Sequence, residues 1–235
     1  MKIVVDLFNQ HSGNLEELNR MALSAYLSGA DIVKIQLLNS KRIWGDYSRK
    51  HLEMTHDDFK EFWLQCAYHG IKTMATVFDE QKLEWLDDFE FDYYKIASHT
   101  SFNDKSLCEK ILAKNKPTII STGLYKLGEF PFGFNSNIQY LYCVAEYPTF
   151  LFNPKLKEMP MFKNEQGFYS GFSDHVVGTA AALKAYFNGA QILEKHFTHD
   201  VNAQNSVEKA HLCSFTPDSL RVFKNTVREL DIISS

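Results

Sequence analysis

The 235-residue sequence predicts an α/β protein built as a (β/α)8 TIM barrel, and three observations carry that reading. Eight short β-rich runs recur along the chain, at residues 2–8, 31–38, 72–77, 93–98, 118–122, 138–144, 168–173 and 191–197. Most are nearly continuous in apolar residues, as parallel strands covered on both faces must be. Helical patterns alternate with them and the series ends in one, which suits a closed barrel. A doubly wound open sheet is the rival architecture, but the turn at 9–13 reads NQHSG and lacks the glycine pattern of a dinucleotide fold.

With 45% hydrophobic and 23% charged residues, residues 1–235 can bury one large core and read as a single domain. A net charge of −4 argues against broad attraction to nucleic acid or anionic lipid, and no membrane class is needed. Cys66, Cys108, Cys143 and Cys213 are widely spaced without a CxxC pair. The opening MKIVVDLF has neither the basic region nor the long apolar stretch of a signal peptide, so the expectation is a reduced, cytoplasmic protein.

After the first run, Asn14 is placed to cap a helix with Glu17 three residues on, and Leu15, Leu18, Ala22, Ala25 and Tyr26 give that helix an apolar face. Helical spacing is clearest at 57–68, 81–86, 103–113, 178–188 and 217–230, and Gly189 stands where the fourth of these stops. The connection 39–55 is polar and aromatic, with Arg42, Trp44, Tyr47 and Arg49. It reads either as a lid over the strand ends or as a surface excursion.

In a barrel of parallel strands, all C-terminal strand ends open on one face. His175 and His196 end consecutive runs, each beside a carboxylate, and so converge there. Two imidazoles can hold a divalent metal, or each can be a polar residue hydrogen-bonded at a strand end. Lys34 and Lys95 sit inside the apolar runs DIVKIQL and YYKIAS, where a charge needs an anion. Asp6 or Glu194 can supply a structural ion pair. Alternatively, both lysines with Ser98, Ser121, Thr122 and Ser173 make the donor set of a phosphate or carboxylate site. A Schiff-base lysine is the competing chemical role, but a Lewis acid on the two histidines would make the imine unnecessary.

VKIQ at 33–36, TVFD at 76–79, KIAS at 95–98, STG at 121–123, YP at 147–148, SDH at 173–175 and EKHFT at 194–198 follow one another in the order and approximate spacing of the sialic acid synthase family, which the chain resembles from Val4 to about Leu220. That resemblance implies a barrel that condenses phosphoenolpyruvate with the open-chain aldehyde of an N-acyl hexosamine, giving a nonulosonic acid and phosphate. It implies that Lys34, Thr76, Lys95, Ser98, Ser121, Asn153 and Ser173 hold phosphoenolpyruvate, with Gln36 and Glu194 lining the same cavity. His175 and His196 would bind manganese, with magnesium or cobalt as alternatives, and Asp6 and Glu194 would supply carboxylates to the chemistry.

The chain also departs from the family pattern. A first-strand Glu followed by NHNG is replaced by Asp6 and then Gln10, His11, Ser12 and Gly13. SGE is replaced by Ser98, His99 and Thr100, and aligning the family's GPDH on His211 puts Ala210 at the Asp. The resemblance covers the barrel only, without the small antifreeze-like domain whose Arg reaches the partner subunit's sugar site. The implied partners are therefore a second copy or a separately encoded chain that completes the site. A catalytically silent barrel binding a sugar or phosphorylated ligand, and an aldolase with another enolate donor, remain open at the level of sequence.

Overall fold

The computed structural model describes residues 1–8, 10–163 and 165–234; Asn9 of the NQHSG turn, Asn164 and Ser235 lie outside the described residues. Among the described residues, eight parallel strands close into a barrel in sequence order. They are β1 (Lys2–Asp6), β2 (Ile32–Leu37), β3 (Thr73–Val77), β4 (Tyr93–Ile96), β5 (Thr118–Ser121), β6 (Ile138–Cys143), β7 (Gly171–Asp174) and β8 (Ile192–His196). Each overlaps the run predicted for it.

The helices are α1 (Leu15–Leu27), α2 (Ser40–Trp44), α3 (His56–Tyr68), α4 (Glu80–Trp85), α5 (Ser98–Asn103), α6 (Lys105–Ala113), α7 (Ala180–Phe187) and α8 (Pro217–Ser234). Asn14 caps α1 as its spacing predicts, accepting from the Glu17 N–H at 3.0 Å. The alternation is nevertheless incomplete. Residues 122–137 hold turns, and the described residues of 144–170 hold turns and one 3-10 segment, Pro154–Leu156, in place of α-helices. Pro131, Pro148, Pro154 and Pro160 break these stretches. Phe130 and Phe134 pack on Tyr140 instead, with ring centroids 5.0 and 5.5 Å away, and cover that side of the barrel.

Strand periodicity divides the inside of the barrel into two layers. Val4, Ile32, Met74, Ile119, Leu141 and Ile192 pack together in its lower interior. Their neighbours of opposite parity, among them Val5, Val33, Ala75, Ile120 and Leu193, face the helices and join the main core. Two residues further along each strand, the inward position turns polar: Asp6, Lys34, Thr76, Lys95, Ser121, Cys143, Ser173 and Glu194 are all buried. The change of chemistry from lower to upper layer is what makes a site at the C-terminal end. Gly171 is required where β7 meets β8, because a Cβ there would lie 1.9 Å from the Ile192 carbonyl oxygen.

Candidate active site

A cavity of about 540 Å³ opens at the C-terminal strand ends, floored by the polar layer and walled by the loops above it. Asp6 and Glu194 face Lys34 across the floor. The Lys34 ammonium lies 2.7 Å from Asp6 Oδ2 and 3.2 Å from Glu194 Oε1. Gln36 Nε2 donates to the same Asp6 oxygen at 2.7 Å, and Ser173 Oγ donates to Glu194 Oε1 at 3.1 Å. Lys95 is held differently: it donates to Ser121 Oγ at 2.7 Å and to the Ile96 carbonyl at 3.1 Å, with Glu194 Oε2 at 3.8 Å. Ser98 Oγ accepts from the Gly123 N–H at 3.0 Å, joining the ends of β4 and β5.

These surroundings set the charges. Burial pulls the Lys34 ammonium down, but Asp6 and Glu194 more than reverse it and leave it above its ordinary value. Lys95 lacks so close a carboxylate, and burial brings it down to about 8. Burial alone would raise Glu194, yet Lys34 and Lys95 hold its carboxyl at about 2, so it is ionised at neutral pH. The two cations and two carboxylates of the floor thus cancel. Glu194 Oε2 is buried without a hydrogen-bond partner among the described residues, an atom left to interact with something bound.

The imidazoles of His175 and His196 lie with ring centroids 5.6 Å apart and line the same cavity. His175 Nδ1 is 2.9 Å from the Val144 carbonyl oxygen, and His196 Nδ1 is 2.7 Å from that of Phe8. Each contact requires a proton on Nδ1, which leaves Nε2 as the lone-pair nitrogen. Burial keeps both rings neutral, with His175 brought down to about 3 and His196 also lowered. Two neutral imidazoles with backbone-fixed tautomers can give a divalent cation two nitrogen ligands, although no group of three or more His, Cys, Asp or Glu placed to hold one occurs among the described residues. The Tyr147 ring packs on His175 at 4.0 Å and on His196 at 5.7 Å.

The structure gathers Asp6, Lys34, Gln36, Lys95, Ser98, Ser121, Ser173, His175, Glu194 and His196 around one cavity. Two sequence candidates fall outside its wall. Thr76 shares the inner face, paired in register with Gln36 and Lys95, but it is fully buried and its Oγ1 has no hydrogen-bond partner among the described residues. Asn153 points along its own loop: Nδ2 donates to Glu146 at 2.8 Å and Oδ1 accepts from the Lys155 N–H at 3.0 Å, capping the 3-10 segment. Its position gives no support to the ligand role that the resemblance implies.

Of the connection 39–55, Ile43, Trp44 and Arg49 line the cavity and so wall the strand ends. Sequence reasoning missed Cys143, Val207 and Lys209 as lining residues. Cys143 was detectable by parity, two residues beyond Leu141 on the inner face. The loop pair carries no such period.

Fold and site together define a (β/α)8 barrel whose polar, charged cavity lies at the C-terminal mouth, where barrel enzymes carry their active sites. The chain belongs to the NeuB family, which it matches over residues 21–234. It is 29% identical to an N,N'-diacetyllegionaminic acid synthase of Campylobacter jejuni, over 97% of this chain and 75% of that protein. It is 27% identical to the N-acetylneuraminate-9-phosphate synthase of Homo sapiens, over 96% of this chain and 69% of that one. Among solved structures, an N-acetylneuraminic acid synthetase from Leptospira borgpetersenii in complex with citrate superposes with a TM-score of 0.87 at 26% identity, covering 99% of this chain and 84% of its own.

Proposed function

We propose that this chain condenses phosphoenolpyruvate with a sugar aldehyde of the N-acyl hexosamine class, forming a 3-deoxy-2-keto sugar acid and releasing phosphate. The observation that carries this reading is the shared cavity of Lys34, Lys95, Glu194, His175 and His196 in a NeuB-family barrel. Lys95, Ser121, Ser98 and Ser173 supply donors for a phosphate and a carboxylate, and Lys34 adds a fixed charge tied to Asp6 and Glu194. The four floor charges cancel, so a trianionic donor needs further positive charge, and His175 and His196 are the residues to hold a divalent cation supplying it. When bound, that cation acts as a Lewis acid toward the aldehyde oxygen.

C3 of phosphoenolpyruvate attacks the aldehyde carbon, forming the new C–C bond, and the aldehyde oxygen takes a proton. Water then adds at C2 and gives a proton to an ionised carboxylate, for which Glu194 and Asp6 are placed. The resulting tetrahedral carbon expels phosphate by C–O cleavage and becomes the ketone as its hydroxyl gives up the second proton. The two protons of the water thus balance the one taken by the aldehyde oxygen and the one carried off on phosphate. Lys95, at about 8, is poised to share its proton with the departing phosphate.

The test is phosphate release from phosphoenolpyruvate with manganese across N-acyl hexosamines, their phosphates and shorter aldoses. Release that depends on both metal and aldose is expected. No release with any acceptor under metal saturation would contradict the proposal and favour a silent barrel.

A further inference from the structure

We infer that Gln10 is a positioning residue for the cation: its amide oxygen, together with the Phe8 carbonyl, holds the Nδ1 proton of His196 and makes His196 the stronger of the two imidazole ligands. This rests on the reading of His175 and His196 as cation ligands, and it adds a residue that does not itself line the cavity.

Two oxygens lie within hydrogen-bond reach of His196 Nδ1, the Phe8 carbonyl at 2.7 Å and Gln10 Oε1 at 3.1 Å. A carbonyl only accepts, so Nδ1 carries the proton. That proton in turn requires the oxygen, not the nitrogen, of the Gln10 amide to face the ring. One N–H is thus shared between two acceptors, and Asp6 Oδ2 at 3.9 Å adds negative charge near the same nitrogen.

His175 is held by less. Its Nδ1 meets the Val144 carbonyl at 2.9 Å, and the second neighbour is the Cys143 sulfur at 3.8 Å, a weak acceptor. An acceptor on the far nitrogen of an imidazole orients the ring and raises the donor strength of the ligating nitrogen. The two rings therefore differ chiefly by Gln10.

Gln10 is buried, on the connection between β1 and α1, and that connection is tied to its neighbours. Ser12 Oγ donates to the buried Glu208 at 2.9 Å, which joins it to the segment after β8. A Cβ on Gly13 would lie 1.9 Å from the His51 carbonyl oxygen, so its backbone also abuts the segment after β2. His11 turns its Nδ1 back to accept from the Gly13 N–H at 3.1 Å, which leaves Gln10 to serve His196. An amide presented from so fixed a segment is already placed before any cation arrives.

The test is titration of cobalt(II), followed by its visible absorption, onto the native chain and its Gln10→Leu and Gln10→Glu variants. Melting temperatures of the cobalt-free proteins are taken alongside. Gln10→Leu fills the space without an acceptor, and cobalt affinity should fall at least about tenfold, the usual cost of removing the partner of a metal-ligating histidine. Gln10→Glu returns an acceptor oxygen and should bring affinity back to within about threefold of the native value. His196→Ala should cost more cobalt affinity than His175→Ala.

A purely structural Gln10 would lower the melting temperature of the cobalt-free Gln10→Leu chain and leave the cobalt affinity of the folded protein unchanged, which overturns the inference. Should the Gln10 variants not fold, NMR of the cobalt-free native chain decides: the Nδ1 proton of His196 should exchange at least about tenfold more slowly than that of His175, the worth of one further hydrogen bond. Exchange no slower at His196 overturns the inference. Absence of cobalt binding by the native chain contradicts the cation reading as well, whereas equal binding by native and Gln10→Leu chains overturns the inference alone.

Discussion

Lys95 is the residue whose chemistry the fold alters most usefully. Burial lowers its ammonium to about 8, whereas Lys34, clamped by Asp6 and Glu194, stays above its ordinary value. The sign of the pH effect follows: in the free protein Lys95 is charged below about 8 and neutral above it, so affinity for an anionic donor falls as pH rises through that value. Titration of phosphoenolpyruvate at pH 7 and pH 9 should show about tenfold weaker binding at the higher pH, one decade for one proton. The Lys95→Met protein should show a flat profile over the same range, and a flat wild-type profile would remove Lys95 from the donor site. Both lysines were legible from their runs, because a charge among apolar residues is costly. The runs could not say that Lys34 is clamped by two carboxylates while Lys95 meets only Glu194, and at 3.8 Å, since that depends on distances across the barrel. Lys195 shows the limit of motif reading. It lies between two site residues, yet its parity turns it to the helix side, where it bonds Asp174 at 2.7 Å and the Val176 carbonyl at 2.6 Å.

At the level of elements, β7 and the lid make the sharpest cases. Gly171 has backbone on its Cβ side, with the Ile192 oxygen 1.9 Å away, so Gly171→Ala must separate β7 from β8. A loss of about 3 kcal/mol or more is expected, read as a drop in the urea midpoint, and a near-neutral change would mean that the barrel yields more readily than its register implies. Ser40→Ala leaves the barrel alone but removes the hydroxyl that joins the Asp46 carbonyl to the Arg49 N–H. Amide exchange across 39–55 should quicken by about tenfold, with the melting temperature little changed. Unchanged exchange would show that Asn39, which caps α2, and Arg42 hold the lid unaided.

Strands were the legible elements here, because burial on both faces writes apolar runs of the right length. The lid was half legible. Its aromatic and basic composition could be read, but its closure over the cavity comes from Ser40, Glu53 and the close approach of Gly13 to the His51 carbonyl, none of which leaves a periodic trace. The missing helices after β5 and β6 were written in prolines that the alternation argument passed over.

For the whole molecule, one period-two pattern repeated around a closed sheet produces both stability and site. The apolar lower layer fills the barrel, and two residues on, every strand but β3, whose Thr76 stays beneath the wall, delivers a side chain to a common cavity. No described helix is long and apolar enough to cross a membrane, and the four cysteines are free and buried. The central claim is that the upper layer is a donor site rather than a set of structural ion pairs. It is tested most directly by calorimetric titration of phosphoenolpyruvate onto the manganese-loaded protein and its Lys34→Met and Lys95→Met variants, with melting temperatures taken alongside. The account predicts saturable binding to the native chain and at least about tenfold weaker binding to each variant that remains folded, the loss of one charge-assisted contact. Undiminished affinity in two folded variants would contradict it and return both lysines to a structural role.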